Sequence, residues 1–330
     1  MSLKEKINYS IWCDFVERDF LENEFKELIK NKIIFGATSN PAIFEQSITS
    51  SEAYKQQMNM LQANENKKIY EELAITDIKS AADILKPLYD HDADDGFISL
   101  EVDPTLCDDT QATVEEGIRL YKQIAYSNVM IKVPATQAGY AAMEELTSLG
   151  INVNATLIFS KEQAIQCAKA LNEGILKSGK DTKGVVSIFV SRFDRTLDDM
   201  MREKHLETAK VGIINATKCY YEIEKFENNN IRTLFASTGV KGDDLTPTYY
   251  IDNLIFKNSI NTAPLATIKE WIENGSKIET EIMPEDECDK YFAKLEKKGI
   301  KIETISDQLL QEGLSAFKIS FKELLTKVKL

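Results

Sequence analysis

The chain has 330 residues, 43% of them hydrophobic and 28% charged, with a formal net charge of −13. This suits an ordinary soluble globular fold and argues against nucleic acid or an anionic membrane surface as the main partner. No stretch is apolar and long enough to span a bilayer, and the opening MSLKEKINYS lacks the apolar segment of a signal peptide, so the cytoplasm is the expected location.

Short β-branched runs alternate with helical segments along most of the chain. The strand candidates are SIWCDF (10–15), IIFGATS (33–39), GFISLEVD (96–103) and VMIKVPA (129–135). Then come INVNATLIF (151–159), GVVSIFVS (184–191), IRTLFAS (231–237) and KIETEIM (277–283). The segment 48–95 between the second and third strands reads as extra helices. Val114, Ile118, Tyr121 and Ala125 share one helical face, and Ser160 with Gln163 forms a capping box that opens the next helix but one. Leu310, Leu314, Phe317, Phe321, Leu324 and Val328 mark a long final helix, expected on the outside. Alternating strands and helices imply parallel βα units, and this number of them predicts an α/β fold, a (β/α)₈ TIM barrel forming a single domain over 1–330.

Five scattered cysteines (Cys13, Cys107, Cys167, Cys219, Cys288) without a CxxC, and only His91 and His205, leave no pattern for a metal or redox centre. DHDADDGFISLE (90–101) has acids at EF-hand-like spacing, but its glycine falls one residue late and a strand follows, so a solvated acidic turn is the better reading. Phosphate-cradling glycine loops are absent as well, so neither a metal nor a nucleotide cofactor is expected.

In a barrel of this kind the active site lies at the carboxyl ends of the strands. Those ends carry Asp14, the run Thr38-Ser39-Asn40, Glu101, Lys132, Asn154 with Thr156, Ser187 with Phe189, Arg192, and Ser237 followed by Lys241. Lys132 stands out, because a lysine in a buried strand is costly unless it is paired or neutralised. Neighbouring strands can bring Glu101 beside it in a partly dry pocket. An unprotonated amine there can attack a ketone to form a Schiff base, with a carboxylate moving protons. The competing reading is a structural Lys132–Glu101 ion pair, and for Arg192 and Arg195 it is a local salt bridge with Asp194.

The runs TSNPAIF (38–44), ISLEVDP (98–104), VMIKVPAT (129–136), INVNATLIFS (151–160) and SIFVSRFD (187–194) together resemble the transaldolase family through nearly the whole chain. The resemblance implies transfer of a dihydroxyacetone unit between sugar phosphates, from sedoheptulose 7-phosphate to glyceraldehyde 3-phosphate. By motif match, Lys132 would be the Schiff-base lysine and Glu101 a proton shuttle acting through a water held by Thr156. Asp14 would assist proton transfer, Asn40, Asn154 and Ser187 would bind the dihydroxyacetone part, and Arg192 the phosphate. Many relatives have an arginine where this chain has Gly239. The stretch STGVK resembles a bacterial subgroup, and in this chain Lys241 or the Ser237-to-Gly239 backbone would take over that role. A fructose-6-phosphate aldolase-like enzyme and a non-catalytic phosphosugar-binding barrel are the alternatives. The aldolases are short and tend to carry tyrosine where Phe189 stands, which favours transfer. Relatives are often homodimers, though no interface signature is read in this sequence.

Overall fold

The computed structural model describes residues 2–329 and closes eight parallel strands into one barrel in chain order. They are β1 (Ser10–Cys13), β2 (Ala37–Thr38), β3 (Ile98–Glu101), β4 (Val129–Pro134), β5 (Asn152–Ile158), β6 (Gly184–Phe189), β7 (Ile231–Ala236) and β8 (Ser259–Ala263). Every strand residue is buried, as expected where helices cover the outside and side chains fill the inside. The helices Pro41–Ser50, Lys55–Leu61 and Asn66–His91 form the insertion expected between β2 and β3. The Ser160–Gln163 capping box is present at the head of the helix Lys161–Ser178.

The last strand differs from the sequence reading. Residues 277–283 form an exposed connection, with Ile278 76% exposed, and β8 is the more polar SINTA upstream. Polar side chains are tolerated there because most of their polar atoms are paired, the buried Asn261 amide nitrogen being the exception. Ser259 donates to the Phe256 carbonyl, Asn261 accepts from Thr238, and Thr262 meets Thr38. Alternation made 277–283 resemble a strand, but of its alternating isoleucines only Ile282 packs partly against the core while Ile278 faces solvent.

The barrel interior is layered by the two-residue period of its strands. Trp12, Met130, Val185, Leu234 and Ile260 pack with Phe97 into one buried cluster. Each lies two residues before a group at the upper mouth. Gly36 lets Trp12 lie across β2, since a Cβ there would come within 2.6 Å of the indole. Below this layer the barrel is plugged by charge. Asp95 accepts from Ser10 (2.6 Å) and Trp12 (2.9 Å) and pairs with Lys4 (2.6 Å) and Arg232 (3.3 Å). The acidic turn is therefore not solvated throughout: Asp95 belongs to the barrel floor, where Arg232 also bonds the carbonyls of Asn8, Asp94 and Ser259.

The helix Ile302–Lys327 also departs from expectation, for it does not lie on the outer wall. Ser306 bonds the Phe159 carbonyl beyond β5, Phe317 enters the upper mouth, Phe321 meets Tyr70, and Lys327 pairs with Glu45. It straps the carboxyl end of the barrel from the β5 side to the inserted helices. Its apolar stripe was legible, but period cannot say which hydrophobic surface a stripe covers. No helix among the described residues is long and apolar enough to cross a membrane.

Asp95→Ala would leave Arg232 buried without its carboxylate, and is expected to lower the unfolding free energy by about 3–5 kcal/mol in urea titration. A loss within about 1 kcal/mol, the ordinary effect of a point change, would show that this plug does not hold the floor.

Candidate active site

Strand register sets the centre of the site. Glu101 on β3 is paired with Lys132 on β4, and Lys132 with Asn154 on β5, so three inward side chains stand in a row. Lys132 Nζ lies 3.7 Å from Glu101 Oε2 and donates to the Ser39 carbonyl at 3.1 Å. Asn154 is fixed from both sides, donating to Ser99 Oγ at 3.0 Å and accepting from Ser187 Oγ at 2.7 Å. Beyond Thr156 the β5–β6 register shifts, and Leu157 takes a left-handed backbone (φ 59°). Such a bulge re-aims side chains next to a site. Here it turns Leu157 into the apolar cluster of Phe159 and Phe189.

On the opposite wall Asp14 follows β1 and accepts from Thr38 Oγ1 at 2.6 Å, while Thr38 also meets Thr262 at 2.7 Å. Asn40 caps the helix Pro41–Ser50 by accepting from the Ile43 N–H, and Pro41 at the first helical position needs no such acceptor. Its amide nitrogen remains for the cavity. Ser237 closes β7 in a left-handed turn (φ 56°), and its carbonyl accepts the Ser191 N–H. That contact ties the top of β7 to the helix Ser191–Glu203, whose first turn carries Arg192.

These groups surround one cavity of about 480 Å³. Asp14, Asn40, Lys132, Asn154, Thr156, Ser187, Phe189, Arg192, Ser237 and Lys241 all line it. Glu101 does not; it sits behind Lys132 within the wall. A larger hollow of about 840 Å³ lies on another flank of the strap helix, against Ala135 and Thr136 after β4 and Ser160 after β5, and is lined by none of these groups. The reading missed Phe317, whose ring centroid is 5.8 Å from Lys132 Nζ. It also gave Arg195 no place at the cavity, where it lies one turn beyond Arg192. Phe317 belonged to an apolar stripe that reads as core, and only the path of the strap helix reveals its place.

The electrostatics favour proton exchange on one side and anion binding on the other. Burial pushes the Glu101 carboxyl up to about 7, against the opposing pull of Lys132. Burial likewise raises Asp14, with Lys132 and the Thr38 hydrogen bond holding it back. Both Glu101 oxygens and Thr156 Oγ1 are buried without a protein hydrogen-bond partner. The salt bridge considered for Asp194 is not formed. This carboxyl turns inward, accepting from the Gly212 N–H and Tyr250 hydroxyl, and burial pushes it up to about 6. Arg192, Arg195 and Lys241 therefore face the cavity with no ion pair among the described residues. Burial and the charge of Arg195 push Arg192 down from its usual value.

The sequence profile of the transaldolase/fructose-6-phosphate aldolase family matches residues 11–328. The chain belongs to this family. It is 45% identical to the transaldolase of Helicobacter pylori strain Shi470, an alignment covering 96% of this chain and 98% of that protein. Its identity to the transaldolase of Campylobacter jejuni strain 81-176 is also 45%, with the same coverage of both chains.

Because burial raises Glu101 above its ordinary value of 4.5, the folded chain favours the protonated acid. Its contribution to stability is whole below pH 4.5 and is lost as the pH rises through about 7. Glu101→Gln, neutral throughout, is expected to gain on the order of 3 kcal/mol over the parent protein across that range. Urea unfolding at a series of pH values measures this, and a difference that does not vary with pH would contradict the raised carboxyl.

Proposed function

We infer that the chain is a transaldolase that moves a dihydroxyacetone unit from sedoheptulose 7-phosphate to glyceraldehyde 3-phosphate, giving erythrose 4-phosphate and fructose 6-phosphate. The observation that carries this reading is Lys132, the one buried lysine among the described residues, open to the cavity and 3.7 Å from Glu101. The whole chain, 1–330, is read as one such domain. Its five buried free thiols suit a reducing cytoplasm.

In this reading the unprotonated Lys132 amine attacks the ketone carbon of the donor, and the resulting carbinolamine loses its hydroxyl as water to leave an iminium. Glu101, titrating near neutrality, gives and takes the protons of these steps. A water shared with Thr156 is its relay, which is supported by the unpartnered buried oxygens of both residues. Asp14 then takes the proton of the C4 hydroxyl as the C3–C4 bond breaks. The electron pair of that bond enters the iminium, leaving an enamine on Lys132 and releasing erythrose 4-phosphate. Attack of the enamine on the acceptor aldehyde, with Asp14 returning the proton, forms the new bond, and water releases fructose 6-phosphate.

Asn40, Asn154 and Ser187 bind the hydroxyls of the three-carbon unit. Arg192, Ser237 and Lys241 hold the phosphate, with Lys241 supplying charge that Gly239 cannot. Phe189 gives the wall above the imine no hydroxyl with which to activate water, which favours transfer over release of free dihydroxyacetone.

Borohydride reduction in the presence of fructose 6-phosphate is expected to fix a dihydroxyacetone-derived mass on the peptide that contains Lys132. With erythrose 4-phosphate added, sedoheptulose 7-phosphate should accumulate; free dihydroxyacetone instead would indicate an aldolase. A folded protein with no adduct would overturn the reading in favour of a phosphosugar binder. Lys241→Ala is expected to raise KM for phosphorylated sugars about fivefold, as for loss of one partly exposed charge contact. An unchanged KM would remove Lys241 from the phosphate site.

A further inference from the structure

The strap helix carries a glycine, Gly313, near the middle of its 26 residues. Glycine is among the poorest helix formers, and nothing about the backbone requires one here, since Gly313 is not among the residues of positive φ. What sets this position apart is what lies against it. A Cβ on residue 313 would come 3.0 Å from Leu157 Cδ2, 3.3 Å from Arg192 Nη1 and 3.6 Å from Phe159 Cε2. The guanidinium of Arg192 thus rests directly on the bare backbone of the strap. Its other neighbours are aromatic, with its Cζ 5.0 Å from the centroid of Phe189 and 5.9 Å from that of Phe159. No side-chain hydrogen bond or ion pair fixes it among the described residues. Packing alone sets where this cation stands, and the absent side chain of residue 313 is one wall of its slot.

We propose that Gly313 is a positioning residue: by leaving room for the Arg192 guanidinium, it sets where a substrate phosphate is received and so the preference for phosphorylated sugars. The proposal rests on the assignment of Arg192 to the phosphate. It explains how a helix far along the chain from the strands can tune specificity without touching the reacting carbon. A methyl group at 313 has to displace either Leu157, held at the β5 bulge, or the guanidinium, which is the free end of a flexible side chain and moves more easily. Shifts of a fraction of an ångström matter for a planar fork that must meet phosphate oxygens in register.

Two variants test this, Gly313→Ala as the mild change and Gly313→Val as the severe one, with Gly313→Ala deciding should the valine variant not fold. KM for fructose 6-phosphate is expected to rise a few-fold in the first and about tenfold or more in the second, the scale of a weakened charge-assisted contact. The kcat at saturating substrate and the rate of borohydride trapping with free dihydroxyacetone should stay near those of the parent protein. The thermal midpoint of Gly313→Ala should not fall. Unchanged KM in a folded variant, or equal losses with dihydroxyacetone and with fructose 6-phosphate, would overturn the proposal. The parent protein is run alongside: if it traps neither ketone, the Schiff-base reading itself has failed, and that result stands apart from any difference between variants.

Discussion

Lys132 and Glu101 stand 3.7 Å apart in a wall nearly closed to water, and the barrel mouth is arranged around that pair. Each charge gives up hydration worth several kcal/mol, which mutual attraction restores only in part. Glu101 responds by favouring its neutral form, and Lys132 is steadied by the Ser39 carbonyl. The two are held together by strand register rather than by side-chain contacts. A one-residue slip between β3 and β4 would send one of them into the outer layer. The chemistry therefore depends on the ladder of β3 to β5 and on the apolar outer faces that lock it, such as Ile131, Val133 and Val153.

The rest of the mouth separates two electrostatic tasks. Near the pair, polar groups satisfy one another, as in the Ser99–Asn154–Ser187 and Asp14–Thr38–Thr262 chains. Toward the rim, cations are left without ion-pair partners among the described residues, although the chain as a whole carries a net charge of −13. Screening beyond about 8 Å at physiological salt makes that contrast workable. An anion at the rim would feel Arg192 and its neighbours far more than the distant acidic surface. Turning Asp194 inward, onto Gly212 and Tyr250, keeps the carboxylate that lies between Arg192 and Arg195 in sequence from cancelling them.

Much of this was legible in the sequence, for identifiable reasons. The period of two fixed which residues of β3 to β6 point inward, so Lys132, Asn154, Thr156, Ser187 and Phe189 could be grouped at the cavity, with Glu101 beside Lys132, before their positions were known. The eighth strand was not legible, because SINTA conceals its burial behind polar side chains, and the partners of Asn261 and Thr262 lie on other strands or beyond them. Asp95 was misplaced for a similar reason, since an acid that pairs with Lys4 and Arg232 looks the same in sequence as one facing water. Phe317 and Gly313 escaped notice because helical period gives a face but no address. Tertiary docking supplied what local pattern could not.

The strap helix has a consequence for the order in which the protein comes into being. All eight strands precede it in the chain, so during synthesis they can pair and close before the strap exists. At that stage the lysine of β4 would stand in a wetter mouth, without Phe317 beside it and without the backbone against which Arg192 rests. The closing of the strands and the completion of the mouth are thus separate milestones, the second reached only when the strap lies across the opening, with Lys327 at Glu45. Until then the barrel also lacks the apolar side chains that the strap adds to both core clusters, Phe321 and Leu324 to one and Leu309 and Leu314 to the other.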